Sequence, residues 1–388
     1  MKRRPLILLL LLLAICGGEK GYSQDDSDEL NAIQTVVPFL LIAPDSRAGA
    51  MGDAGVATEP DAYSMHWNPA KFAFIDGKGG AGISYSPWLR TLVPDINLAY
   101  LSGYKRLDSK QVVAASLFYS SLGDIPFTDD YGNFERNFTP SEFSVDVGYS
   151  RIFGKNFSGG IAFRFIYSNL TGGTYAGGTA TKPGISFAAD ISSYYRNDIN
   201  IGDKDGSIGV GINISNVGSK MTYTDSKEPD FIPMNLKIGT SGTIELDNYN
   251  KITLALDLNK LLVPTPPKYD LDRNIIDGKD PNVSVPVAIF QSFYDAPGGF
   301  KEELREITCS LGAEYWYNDQ FALRGGYFYE NETKGNRKYF TAGAGFRMNV
   351  FSLDISYLMP MAQNHPLART LRFSLSFDFN SFRNVSRG

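Results

Sequence analysis

Two histidines and two cysteines in 388 residues leave little material for acid–base relays, metal sites or redox chemistry. His66 and His365 stand near opposite ends of the chain, so they form no sequence motif together. Charged residues reach only 20 %, below the roughly 25 % of soluble domains. The net charge is -5 with no basic block, which removes the electrostatic footprint of a nucleic-acid partner. Beyond the first fifteen residues no apolar run approaches the ~18 residues of a spanning helix, so a helical membrane protein is excluded too. What the chain has in excess is glycine, at 39 residues, and aromatic side chains, at 13 %. A hydrophobic fraction of 43 % is ample for burial and excludes a disordered chain.

Lys2, Arg3 and Arg4 precede an apolar run from Leu6 to Ile15, the charged and hydrophobic parts of a secretory signal. Two cleavage patterns compete. Leu13-Ala14-Ile15-Cys16 has the outline of a lipoprotein box, spoiled by the bulk of Ile15, whereas Gly21-Tyr22-Ser23 places small residues before Gln24. The second is preferred, which makes residues 1–23 a cleaved signal peptide and the mature chain mildly acidic. Cys16 then leaves with the signal, and Cys309 has no intrachain partner for a disulfide. Its place in the alternating run Ile307-Thr308-Cys309-Ser310-Leu311 marks it as a small strand side chain without chemistry.

From about Gly79 onward, segments of apolar/polar alternation are followed by breaks, and period two is the signature of strands. Ile161, Phe163, Phe165 and Tyr167 share one face, against Ala162, Arg164 and Ile166; Leu371, Phe373, Leu375, Phe377 and Phe379 share another, against Arg372, Ser374, Ser376 and Asp378. Strands are expected near 79–88, 93–104, 111–123, 142–153, 157–170, 183–196, 206–217, 232–246, 250–263, 306–317, 320–331, 338–348, 350–360 and 369–380. Their length matches the roughly 9 to 11 residues of a tilted bilayer-crossing strand. If the N-terminus is periplasmic, the alternate connections are mostly short, with 197–205 too long for a periplasmic turn and 89–92 short for an external loop. Trp88, Tyr104, Trp316 and Tyr357 lie near strand ends and fit interfacial girdles. The expected fold is all-β: an outer-membrane barrel of about fourteen antiparallel strands over 76–388, preceded by a segment over 24–75. A soluble sandwich is the alternative; it would turn the aromatic faces inward.

Residues 30–75 do not alternate. Small residues dominate Ser46-Arg47-Ala48-Gly49-Ala50-Met51-Gly52-Asp53-Ala54-Gly55, which allows close backbone approach and suits the inside of a barrel. The stretch from Arg47 to Thr58, followed by Asn68-Pro69-Ala70 just before the first strand, resembles the N-terminal plug of the FadL family of fourteen-stranded transporters. With Phe39 to Pro44 included, the mature chain resembles more closely the PorV family, the FadL-like outer-membrane components of the type IX secretion system. The resemblance implies a shuttle that takes secreted cargo, through the cargo's C-terminal signal domain, from the outer-membrane translocon to a cell-surface sortase and attachment complex. It also implies contact with membrane lipid or lipopolysaccharide, no cofactor, and a structural role for Asn68, Pro69 and Ala70. Two other functions share the fold: a transporter of hydrophobic small molecules, and a lipopolysaccharide deacylase.

Weighing candidate chemistry leaves little for catalysis. Asp270-Leu271-Asp272-Arg273-Asn274 begins like a calcium loop, but its sixth position is Ile275 and its twelfth Pro281. Gly209-Val210-Gly211 and Gly343-Ala344-Gly345 lie inside strands with no following helix, so they relieve crowding rather than cradle phosphate. A hydrolase needs an activated nucleophile, and neither His66 nor His365 has a serine and an acid at a supporting spacing. No enzyme activity, catalytic residue or metal ligand is therefore expected. The external loops are more informative, because solvated loops seldom hold so many apolar groups. Phe127, Tyr131 and Phe134 in 124–141, with Phe290, Phe293 and Tyr294 in 264–305, are the expected partner contacts.

Overall fold

The computed structural model describes residues 30–379, apart from positions 91, 92, 94, 129, 130, 177, 178, 226, 227 and 364. The secretory signal, both candidate cleavage sites and Cys16 lie outside the described residues. Fourteen antiparallel strands close into one barrel. They are β1 (Gly79–Pro87), β2 (Ile96–Arg106), β3 (Gln111–Leu122), β4 (Ser141–Ile152), β5 (Phe157–Asn169), β6 (Gly184–Ile201), β7 (Lys204–Gly218), β8 (Asn235–Glu245), β9 (Asn250–Leu261), β10 (Thr308–Tyr317), β11 (Phe321–Tyr329), β12 (Lys338–Met348), β13 (Phe351–Pro360) and β14 (Thr370–Asp378). Each pairs with its chain neighbours, and β14 returns to β1 with Leu375 opposite Ile83.

The two faces of the wall have opposite chemistry. On β5, Ile161 and Phe163 are exposed while Ala162, Arg164 and Ile166 are buried. On β14, Leu371 and Phe373 are exposed while Arg372 and Ser374 are buried. The same phase holds around the circumference: Ile83, Leu117, Val147, Ile212, Leu254, Leu323 and Ile355 point outward, and Asp146, Asp190, Lys237, Asp257, Glu314, Arg324 and Asp354 point inward. Water outside would favour the reverse arrangement; hydrocarbon outside favours this one, because the lipid-facing phase must be apolar. The expected inversion of a soluble protein is thus present, and the chain is an outer-membrane barrel.

Connections also divide by end. One end has the short turns 107–110, 153–156, 202–203, 246–249, 318–320 and 349–350; the other has the long loops, of which 262–307 is the largest. The expected long turn at 197–205 is corrected here. β6 and β7 continue past it, pairing Asn197 with Ile208 and Ile199 with Gly206, and only Gly202 and Asp203 turn, with Gly202 at φ 68. These strand ends lie beyond the apolar alternation of the wall, so the hydrophobic signal fades where the hydrogen-bonded ladder does not. The girdle expectation also changes. Trp88 and Trp316 are buried and Tyr104 packs on Phe72, whereas only Tyr357 of the four is exposed. The exposed aromatic belt at the short-turn end is instead Phe153, Phe157, Tyr249, Tyr317, Phe321 and Phe379.

Residues 37–75 contain no strand. Short helices at Pro38–Leu41, Ser46–Ala50, Ser64–Trp67 and Pro69–Phe74 lie against the inner wall. Ser46–Ala50 touches β11 to β14, and Pro69–Phe74 touches β3 to β6, so the segment spans the lumen. The largest apolar cluster sits near the long-loop end, where Val37, Phe39 and Leu40 meet Tyr100, Phe118, Ile166, Ile232, Leu262 and Ala288. Glycines set the clearance elsewhere. A side chain on Gly326 would place its Cβ 2.1 Å from Met51 and Gly52 backbone atoms. The Gly209 and Gly211 pair faces inward onto the Ala57 and Val56 carbonyls, each 2.5 Å from a built Cβ.

Candidate functional site

The inner segment is fixed first by its own turns. Asp45 caps the Ser46–Ala50 helix by accepting from the Ala48 N–H at 2.9 Å, and its other oxygen accepts from Trp67 Nε1 at 2.7 Å. Asn68 does three things at the second corner. Its Oδ1 accepts from the Ala70 N–H at 3.0 Å, and its Nδ2 donates to the carbonyls of Val56 at 3.1 Å and Ser193 at 3.0 Å. Pro69 occupies the first helical turn, where its missing N–H costs nothing. Ala70 is fully buried, and a Cβ on Gly160 would meet its backbone N at 2.6 Å. The Asn68-Pro69-Ala70 triplet therefore joins the segment to itself and to β5 and β6.

Charge then ties the segment across the lumen. Arg47 donates through Nε and Nη2 to the two carboxylate oxygens of Glu314 at 3.0 and 2.8 Å, a bidentate pair. Glu314 also accepts from Arg324 at 2.6 Å, and Arg324 reaches Asp354 at 2.6 Å. Asp257 accepts from the N–H groups of Gly55 and Val56 at 2.7 and 2.8 Å. On the opposite wall Arg164 pairs with Asp146 at 2.6 Å and Asp190 at 3.2 Å. Apart from Arg47 in its motif and Arg164 on its strand face, none of these groups was singled out in the sequence. The available signal was an ionisable residue in the polar phase of a spanning strand, which marks an inward, paired position.

Between the segment and β8 to β12 lies a chamber of about 530 Å³. Lys237 and Trp67 line its depth, with the Lys237 ammonium 4.9 Å from the Trp67 ring centroid. Asn235, Ser310, Leu261 and Phe328 also line it.

At the long-loop rim the expected contact residues fall into two groups. Residues 125–128 and 134–138 form a two-stranded hairpin in which Phe127 stacks on Phe138 at 5.6 Å and Arg136 covers the Phe127 ring. Tyr131 and Phe134 are 91 % and 64 % exposed, while Phe127 is half-buried. Phe290, Phe293 and Tyr294 lie in and after the Val285–Gln291 helix, exposed, with Lys279 over the Tyr294 ring at 3.7 Å. The helix is rooted by buried Ala288 in the mouth cluster. The structure does not join the two groups: one loop follows β3, the other β9, six strands apart around the wall.

The remaining candidates sit in non-chemical surroundings. His66 packs edge-on against Trp67, Tyr100 and Phe118, and its Nε2 has no hydrogen-bond partner. His365 Nδ1 accepts from the Leu367 N–H, and burial with nearby Arg337 lowers its pKa. Asp270 spends its carboxylate on its own turn, accepting from the N–H groups of Asp272 and Asn274 and from the Asn274 amide. The Asn274 bonds hold its pKa below the ordinary value. Cys309 is buried in β10. Among the described residues no group of three or more His, Cys, Asp or Glu is placed to hold a metal ion.

Comparison with known proteins gives the family. No curated protein matches the chain. Solved structures that resemble it include the Pseudomonas putida toluene transporter TodX, at 11 % identity and TM-score 0.47, covering 90 % of this chain and 98 % of that one. A Pseudomonas aeruginosa FadL homologue is 12 % identical at TM-score 0.42, covering 90 % and 99 %. The Ralstonia pickettii toluene transporter TbuX is 11 % identical at TM-score 0.40, covering 86 % and 96 %. Residues 24–268 match the family model described as type IX secretion system protein PorV. The chain therefore belongs to the PorV family, outer-membrane barrel components of the type IX secretion system.

Proposed function

We propose that the protein is a non-catalytic carrier that binds the C-terminal signal domains of secreted proteins on its long loops and delivers them from the translocon to the sortase and attachment complex. The observation that carries this reading is the rim: Phe134 on the hairpin and Phe290 on the Val285–Gln291 helix are exposed, with Tyr131, Phe293 and Tyr294 exposed in the turns beside them. Exposed aromatic side chains on rooted elements suit protein recognition, because burying them contributes free energy with little ordering cost. In this reading residues 1–23 are the cleaved export signal, the short-turn end is periplasmic, and residues 24–75 act as a plug that keeps the lumen from being the working surface. The lipid-facing wall keeps the carrier and its cargo in the membrane plane, where it can diffuse between the two machines.

The test is deletion and crosslinking in cells. Carrier function predicts that loss of the chain leaves cargo inside the cell with its signal domain uncleaved. It also predicts that photocrosslinkers at Phe134 and Phe290 trap signal domains. Recovery of lipid alone from those positions would overturn it.

A further inference from the structure

The inner segment threads the barrel from one end to the other. Residues 73–77 are held at the short-turn end, where Arg106 donates to the Ala73, Ile75 and Gly77 carbonyls beside the 107–110 turn. Further back along the chain, Val37, Phe39 and Leu40 stand in the apolar mouth cluster, and the Val36 N–H donates to the Phe231 carbonyl at 3.1 Å. Asn31 is pinned at the long-loop rim itself. Its N–H donates to the Thr333 carbonyl at 2.8 Å, and its Nδ2 donates to the Pro266 carbonyl at 3.2 Å and to Glu302 Oε1 at 3.0 Å. Leu30 is 67 % exposed at the same rim.

The chain that leads into Leu30 therefore approaches from the long-loop side. Residues 24–29 read Gln-Asp-Asp-Ser-Asp-Glu, four carboxylates in six residues. Six residues reach at most about 20 Å, short of the roughly 30 Å of a hydrocarbon core, and the mouth cluster is no place for unpaired carboxylates. Beside Leu30 and Asn31 opens a groove of about 580 Å³. Pro266, Pro267, Tyr269 and Ile276 give it an apolar lining, and Lys268, Lys301 and Arg305 give it cations. Lys268 and Lys301 are exposed and form no ion pair among the described residues. Glu302, the one carboxylate on the lining, is taken by Lys334 at 2.6 Å and by Asn31.

We infer that the groove is occupied by the chain's own acidic arm, with Asp25, Asp26, Asp28 and Glu29 against Lys268, Lys301 and Arg305. Each exposed ion pair contributes little, but several of them on a short tether gain from a high effective concentration. With the short-turn end periplasmic, the arm lies on the cell-surface side, outside the lumen that the plug fills. An arm held there closes the groove to other anions, lipid phosphates included. The inference does not depend on what the rim aromatics bind.

The test places a nitroxide on Ser27→Cys in the full chain in detergent; Cys309 is buried and stays unlabelled. The expected spectrum is that of an immobilised label. In Lys268→Glu/Lys301→Glu the ratio of held to free label should fall by about 3- to 30-fold, the combined scale of a few exposed pairs. About 1 M salt should free the label in the unaltered groove and have little effect in the charge-reversed one. On intact cells Ser27→Cys should react with an impermeant maleimide, whereas Asp203→Cys in the 202–203 turn should react only after permeabilisation. Equal label mobility with and without the two lysines, whether free or immobilised, overturns the inference. Reaction of Ser27→Cys only after permeabilisation overturns it as well. If stoichiometric lipopolysaccharide frees the label, the groove is a lipid-anion site and the inference fails. None of these readouts involves cargo, so the carrier reading stands or falls separately.

Discussion

Glu314 receives two guanidinium groups, Arg47 from the inner segment and Arg324 from the wall. Removing it leaves two buried guanidinium groups with one carboxylate each, Asp61 for Arg47 and Asp354 for Arg324, and breaking a buried pair costs about 3–5 kcal/mol. Glu314→Ala is expected to lower the thermal unfolding midpoint of the detergent-solubilised barrel and to expose residues around Arg47 to protease. A midpoint equal to that of the unaltered protein would refute the view that this network anchors the segment. Steric clearance gives a second residue-level prediction. Gly326→Ala places a methyl against Met51 and Gly52 backbone, while Gly242→Ala places one in open space. The first should destabilise by about 1–3 kcal/mol as overpacking, and the second should be close to neutral, a difference readable by denaturant titration of both variants.

At the scale of elements, the 262–307 loop stands out because its helices are rooted by buried polar groups. Thr265 donates to Asp295 through its N–H and to Glu306 through its hydroxyl, and Lys260 bridges Glu303 and Glu306. Burial, with Glu303 and Glu306 close by, pushes the Asp295 carboxyl up to about 6. A carboxyl raised in the packed loop holds its proton better there than in the opened loop. The packed state is therefore favoured most below about pH 4 and loses that advantage as pH rises through about 6. Protection factors of the Thr265 and Ser292 amides, their exchange rates divided into the intrinsic rate at the same pH, are expected to be lower at about pH 7.5 than at about pH 5, and Asp295→Asn should flatten the difference. The rim elements yield a prediction about binding. Phe134→Ala and Phe290→Ala should each weaken signal-domain capture by about 30-fold or more, the scale of a hot-spot anchor, with gel mobility unchanged. Wild-type capture by both variants would remove these side chains from the contact surface.

For the molecule as a whole, what could be read from the sequence follows the physics of its solvent. Hydrocarbon enforces an apolar phase on every spanning strand, so Ile161–Phe163 and Leu371–Phe373 announced the wall and the strand count. Where water replaces lipid, that constraint ends, and the extensions of β6 and β7 past Arg196 went unseen although their ladder continues. Trp316 misled for a related reason. Its position near a strand end fits an interfacial belt, but its phase is that of Ser310 and Glu314, and it sits inside under Arg324 and Arg347. The chamber was illegible because Lys237, Asn235, Ser310 and Trp67 come from separate parts of the chain, and only barrel closure brings them together. The Asn68 corner was legible as a motif but not as a mechanism, since its Ser193 partner lies on β6.

The stitching of the inner segment to the closing strands bears on biogenesis. Ser84 of β1 donates to the Pro44 carbonyl at 2.6 Å, Ser374 of β14 accepts from the Ser46 N–H at 2.8 Å, and the Tyr63 hydroxyl lies near carbonyls of both strands, at 3.1 Å from Ile83 and 3.0 Å from Leu375. The last zipper to fasten is thus lined with groups that need the first-synthesised part of the chain already in place. Insertion into the outer membrane would then be a wrapping event around a waiting mandrel, and a chain lacking residues 44–63 should stall as an unsealed sheet on the machinery that inserts it.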